Sequence, residues 1–129
     1  MARKTFTTSE VLTAANTNLY LYNRPGVTSS TATAYTATTA DINNTLVFTA
    51  ASAVTVTIST ATALVAGEVF NVLRDGAGTV TITAASTAVS LLGRGTAATN
   101  YAIGTQYDMV SVQCIDTNSY RVIGNATAS

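Results

Sequence analysis

Site chemistry needs groups that titrate, ligate or attack, and this chain holds few of them. It has no histidine, the residue that most often serves as general base and metal ligand near neutral pH. Its acids, Glu10, Asp41, Glu68, Asp75, Asp108 and Asp116, are spread singly along the chain. Asp41, Asp75 and Asp116 fall in turn-forming stretches, where a carboxylate satisfies backbone amides. Two of the six could meet in space as the acid and base of a glycosidase, but no motif supports such a pair. Gly76-Ala77-Gly78 is followed by Thr79-Val80-Thr81-Ile82, a strand pattern and not a helix. It therefore reads as a hairpin turn and not as a phosphate cradle. Cys114 is the single cysteine, so no internal disulfide forms. In Val110-Ser111-Val112-Gln113-Cys114-Ile115 it shares the face of Val110 and Val112, the position of a small buried hydrophobe. These residues predict no enzyme activity, no metal and no cofactor.

The elements that would position any site are strands. Between residues 53 and 85, Val54, Val56 and Ile58 alternate with Thr55, Thr57 and Ser59, and Val80 and Ile82 alternate with Thr79, Thr81 and Thr83. Side chains of a strand point to opposite faces with period two, so each run puts its aliphatics on one face and its hydroxyls on the other. With a strand over residues 68–74 between them, the stretch predicts a β-meander built on one buried face. A threonine ladder can order water, but only on many regular rungs; over two strands, solvent-facing threonine explains the pattern.

Earlier in the chain, residues 31–39 alternate well enough for a weakly specified edge strand or a linker. Asp41-Ile42-Asn43-Asn44 predicts a turn and residues 45–49 a buried strand. Further strands are predicted over residues 89–92, 101–103, 107–115 and 120–124, with Gly93-Arg94-Gly95 closing the first and Asp116-Thr117-Asn118-Ser119 forming a hairpin turn. Many short strands separated by turns indicate an all-β fold, an antiparallel β-sandwich of jelly-roll type.

The first 26 residues differ. Leu12, Ala15, Leu19 and Tyr22 recur at helical spacing, Thr13 is an acceptable N-cap, and Asn23-Arg24-Pro25-Gly26 is a stop. A helix over residues 14–22 is too short to stand alone and must dock. The expected organisation is an anchoring arm over residues 1–26 and a β-domain over residues 27–129.

Composition narrows the classes of partner. Only 9% of the 129 residues are charged and the formal net charge is zero, against about 25% charged residues in ordinary soluble domains. Such a chain has little colloidal repulsion and favours association. Its arginines are scattered singly apart from the Arg3-Lys4 pair, which argues against nucleic acid, since phosphate binding needs clustered cations. No apolar run approaches the roughly twenty residues of a membrane span, and Thr5-Phe6-Thr7-Thr8-Ser9-Glu10 is no signal-peptide core.

Three phrases carry a family resemblance. Phe6-Thr7-Thr8-Ser9-Glu10-Val11-Leu12-Thr13-Ala14-Ala15-Asn16-Thr17-Asn18-Leu19-Tyr20-Leu21 resembles an N-terminal motif of tailed-bacteriophage structural proteins, with Ser9 for the usual Gly and Thr17 for the usual Val. Gly67-Glu68-Val69-Phe70-Asn71-Val72 through Gly78-Thr79-Val80-Thr81-Ile82 is similar to a phrase of phage fibre and decoration domains. The closing Asn118-Ser119-Tyr120-Arg121-Val122-Ile123-Gly124-Asn125 is similar to their last strand. The resemblance covers about half the chain and implies a virion structural protein at the particle surface, forming a homotrimer. The expected role is capsid decoration, as a cement or short head fibre. Phe6, Val11, Leu12, Leu19, Tyr20 and Tyr22 would anchor it to the major capsid protein. The alternative is a tail-fibre or tail-tip subunit that binds a host-surface glycan through tyrosines on exposed loops, Tyr101 and Tyr107.

Overall fold

A computed structural model describes residues 25–129. The expected helix over residues 14–22 and the anchoring residues Phe6, Val11, Leu12, Leu19, Tyr20 and Tyr22 lie outside the described residues. What is described is all-β: twelve strands in two mixed sheets. They are β1 (Gly26–Ser30), β2 (Ala34–Thr36), β3 (Asn44–Phe48), β4 (Val54–Ile58), β5 (Val69–Arg74) and β6 (Val80–Ala84). The second half holds β7 (Ser90–Gly93), β8 (Thr96–Ala97), β9 (Asn100–Ile103), β10 (Met109–Asp116), β11 (Ser119–Gly124) and β12 (Thr127–Ala128). A seven-stranded sheet runs β1-β3-β5-β10-β11-β7-β8, and a five-stranded sheet runs β12-β9-β6-β4-β2.

The period-two reading of single strands holds. Val54, Val56, Ile58, Val80 and Ile82 are buried, and Leu46, Phe48, Phe70, Val72, Val110, Val112 and Cys114 join them from the other sheet in one core. Cys114 is fully buried on the face of its valine neighbours, with Sγ against the Leu64 and Asp116 carbonyls.

The pairing of those strands departs from the antiparallel expectation. β4 and β6 are parallel partners with Val54 beside Val80 and Val56 beside Ile82, while β5 belongs to the other sheet. From β1 to β6 the chain crosses between the sheets at every connection, so β1, β3 and β5 stack in parallel on one side and β2, β4 and β6 on the other. Each strand of one side with the next strand of the other makes one coil (β1–β2, β3–β4, β5–β6). Parallel strands need a crossover between them, and here a strand of the opposite sheet supplies it. There is no meander, and Gly76-Ala77-Gly78 is a corner between sheets rather than a hairpin turn.

That corner explains its glycines. Asp75 and Gly76 amides donate to the Phe48 carbonyl at 2.9 Å each, and the Gly78 amide donates to the Ala50 carbonyl at 3.0 Å. A Cβ on Gly78 would sit 1.9 Å from the Ser52 carbonyl oxygen, and one on Gly76 2.3 Å from that of Ala50. The corner of one coil lies directly on the corner of the coil before it, at a distance only glycine permits. On the other side of the coils, Thr62 is fully buried; its Oγ1 accepts from the Ser59 amide at 3.0 Å and donates to the Ala37 carbonyl at 2.8 Å. The predicted turn at residues 41–44 is present as a 3₁₀ turn over Thr39–Asp41 followed by Asn43 at φ 58°. Asp41 caps it by accepting from the Thr38 amide and from the Tyr35 hydroxyl.

The second half caps the coils with antiparallel pairs: β10 on β5, β11 on β10 and β9 on β6. β1, β8 and β12, which alternation did not mark, lie at sheet edges.

Candidate binding surfaces

The outward faces of the two sheets follow from the register. On the five-stranded sheet, Thr55 lies beside Thr81 and Thr57 beside Thr83, with Thr36 beside Thr57 on the other side and Ala102 and Asn100 continuing the two rows on β9. This face carries hydroxyls and small side chains and no charge. The seven-stranded sheet presents something different. Val47, Leu73 and Met109 lie side by side on β3, β5 and β10, forming an apolar row across three strands. Met109 is 49% exposed. The next row out is polar at its centre, where Ser111 donates to Asn71 at 2.6 Å and Asn71 donates to Thr45 at 3.4 Å. Exposed Ile123 and Val27 stand at its two ends.

Beyond Ile123, toward the sheet edge, a groove of about 470 Å³ opens along the β7–β8 turn, lined by Arg94, Gly95, Thr96, Arg121 and Ile123 among others. Arg94 and Gly95 form the turn with φ 48° and 79°. Arg94 donates to Asn125 Oδ1 at 3.2 Å, and Asn125 in turn donates to Asp108 at 2.9 Å. Arg121 makes only long contacts, 3.5 Å to Ser119 and 3.4 Å to the Tyr120 carbonyl.

Tyr101, expected on an exposed loop, is a core residue of β9 at 1% exposure. Its hydroxyl accepts from the Gly93 amide and donates to the Thr96 carbonyl, so it pins the β7–β8 hairpin from inside. The reason is alternation: Tyr101 and Ile103 share the inward face of the strand expected over residues 101–103, which extends from Asn100 to Ile103. Tyr107 is on the surface, 70% exposed in the connection between β9 and β10. The two tyrosines form no common site.

The titratable groups inside the protein serve the fold. Arg74, at the end of β5, is 8% exposed and donates to the carbonyls of Ile103 and Ala77, tying both sheets and the corner together. Burial pushes the Cys114 thiol and the Tyr120 phenol above their ordinary values, the Glu68 charge adding to the effect on both. Burial and the bond to Asp41 do the same for Tyr35. A thiol held protonated is a poor nucleophile. Among the described residues no three of Asp, Glu and Cys gather as a metal site.

Sequence reasoning passed over the groove. Its signal was present in the outward alternation of Arg121 between Tyr120 and Val122 and in the arginine between two glycines. No protein-family model, no curated protein and no solved structure matches this chain.

Proposed function

We propose that this protein is a non-enzymatic structural component of a bacteriophage particle, a two-sheet sandwich that docks by one sheet face and decorates the capsid. The observation that carries the reading is the apolar row Val47, Leu73 and Met109 on the outward face of the seven-stranded sheet, where three aliphatic side chains lie side by side on paired strands, with exposed Ile123 and Val27 at the ends of the next row. An outward aliphatic row across three paired strands, with Val47 and Leu73 half-buried and Met109 exposed, fits a face that meets a partner. The low charge and the phrases at residues 6–21, 67–82 and 118–125 support the same reading. In this role the protein acts by mass action: a subunit that binds only the assembled shell stabilises it by the free energy of binding. Homotrimerisation brings three such faces to one site and multiplies their affinity.

The test uses the full chain on shells that lack it. The expected result is a trimer by light scattering that co-sediments with shells, and a Leu73→Asp/Met109→Asp variant that stays folded and stays in the supernatant. A monomer, or a double variant that binds shells as the parent does, overturns the reading.

A further inference from the structure

We infer that the groove along the β7–β8 turn is a binding site for an acidic sugar, a uronic-acid unit of a polysaccharide chain. Three arginines stand among the described residues, Arg74, Arg94 and Arg121. Arg74 is internal, satisfied by carbonyls. The other two both line this one groove. The described residues carry five carboxylates against three guanidiniums, so a surface place with two cations and no acid among its lining residues stands out among the described residues.

The guanidiniums differ in readiness. Arg121 sits mid-strand on β11, on the backbone of a paired strand, and its long contacts leave its donor fork open to a planar carboxylate. Arg94 is held at the turn by Asn125, which is itself held by Asp108. The groove floor includes Gly93, Gly95 and Gly124, where backbone rather than side chain meets the ligand. Gly93 itself is fixed by the core beneath the groove: a Cβ would fall 2.9 Å from both the Tyr101 ring and the Val122 carbonyl.

The volume, about 470 Å³, is in the range of small-ligand sites, roughly 300–1,000 Å³. A second hollow of about 330 Å³ shares Gly93, Arg94 and Thr96 with it and continues to Ala126, Thr127 and Ala128. Two hollows that share Arg94 as a lining residue suit consecutive rings of a chain better than one acidic side chain of a protein. Ile123 and Leu92 supply apolar contact beside the charge. The inference does not rest on the particle assignment, since the groove and the apolar row lie on different strands.

The experiment is a titration of the full chain, followed by the backbone amide resonances of Gly95, Thr96 and Gly124. Trigalacturonate is expected to shift them saturably and galactotriose to leave them in place. Arg121→Gln weakens trigalacturonate binding by about tenfold or more, and Arg121→Lys, which keeps the charge but loses the fork, restores only part of it. Equal response to the neutral trisaccharide, or binding indifferent to Arg121→Gln, overturns the site. Tighter binding of hexaglutamate than of trigalacturonate replaces the sugar with an acidic protein partner. Displacement by inorganic phosphate at equal concentration reduces it to a general anion site. Loss of shell binding in the Leu73→Asp/Met109→Asp variant without loss of trigalacturonate binding separates this inference from the docking face.

Discussion

The chain up to Ala84 and the chain after it build one core by different pairings. In the first half, lateral hydrogen bonds join strands that are far apart in sequence: β1 to β3, β3 to β5, β2 to β4 and β4 to β6, all parallel. Each such contact closes a long loop before anything is gained, so the coils depend on corners that fit. In the second half β10 turns back on β11 across Thr117 and Asn118, with Asn118 at φ 54°, and the pairing is local. The same alternation of apolar and hydroxyl residues serves both halves. Corner geometry makes the difference: stacked glycines and buried threonine in the coils, a tight turn in the hairpin.

The comparison breaks first at the coil corners. Gly78→Val places a branched side chain where a Cβ alone would sit 1.9 Å from the Ser52 oxygen. The expected loss exceeds about 4 kcal/mol, enough to leave little folded chain in a urea titration. Gly104→Ala, in the second half, meets nothing within 4 Å and shifts stability by less than about 0.5 kcal/mol. Similar costs at both glycines would show that corner stacking does not hold the coils.

Thr62→Val keeps the shape but orphans the Ala37 carbonyl and the Ser59 amide, both bonded to Thr62 Oγ1. A loss of about 2–3 kcal/mol in the urea midpoint analysis is expected. The matching change in the second half, Tyr101→Phe, frees the Gly93 amide and the Thr96 carbonyl. Thr96 is exposed, so water replaces part of what is lost, and about 1–2 kcal/mol is expected. A Tyr101→Phe cost above that of Thr62→Val would reverse the ranking of the halves.

The smallest effect is a slope with pH. Tyr35 in the coils, and Cys114 and Tyr120 in the hairpin, all have folded-state values raised above their ordinary ones, chiefly by burial. The folded chain keeps protons that the unfolded chain releases, so their contribution is complete below the ordinary values, about 8.5 for a thiol and 10 for a phenol, and is lost as pH rises past them. Urea midpoints are expected to be level to about pH 8 and to decline above it. Tyr35→Phe removes the share of the coils and leaves that of the hairpin. A slope unchanged in Tyr35→Phe would assign it to the second half alone.

Much of the inward face was legible before the fold was known. Val54, Val56, Ile58, Val80, Ile82, Val110, Val112 and Cys114 each declare their side by alternation, and the structure buries all of them. The strand at residues 101–103 was legible too, but three residues of alternation do not say which face is inward, and the structure turns Tyr101 to the core with Ile103 rather than to an exposed loop. The outward place of each arginine was legible, but not their groove, because Arg94 and Arg121 are 27 positions apart and come to line one groove only when β11 and β7 pair in parallel.

Alternation is a property of a single strand, so the sequence by itself determined the all-β class, the positions of most strands and the residues that face the core. Partnership is a property of two segments, and period two is the same for a parallel and an antiparallel neighbour. Only the tertiary structure decided that β4 lies beside β6 rather than β5: the corner at residues 75–78 stacks on residues 49–52, which lays β6 alongside β4 in the other sheet.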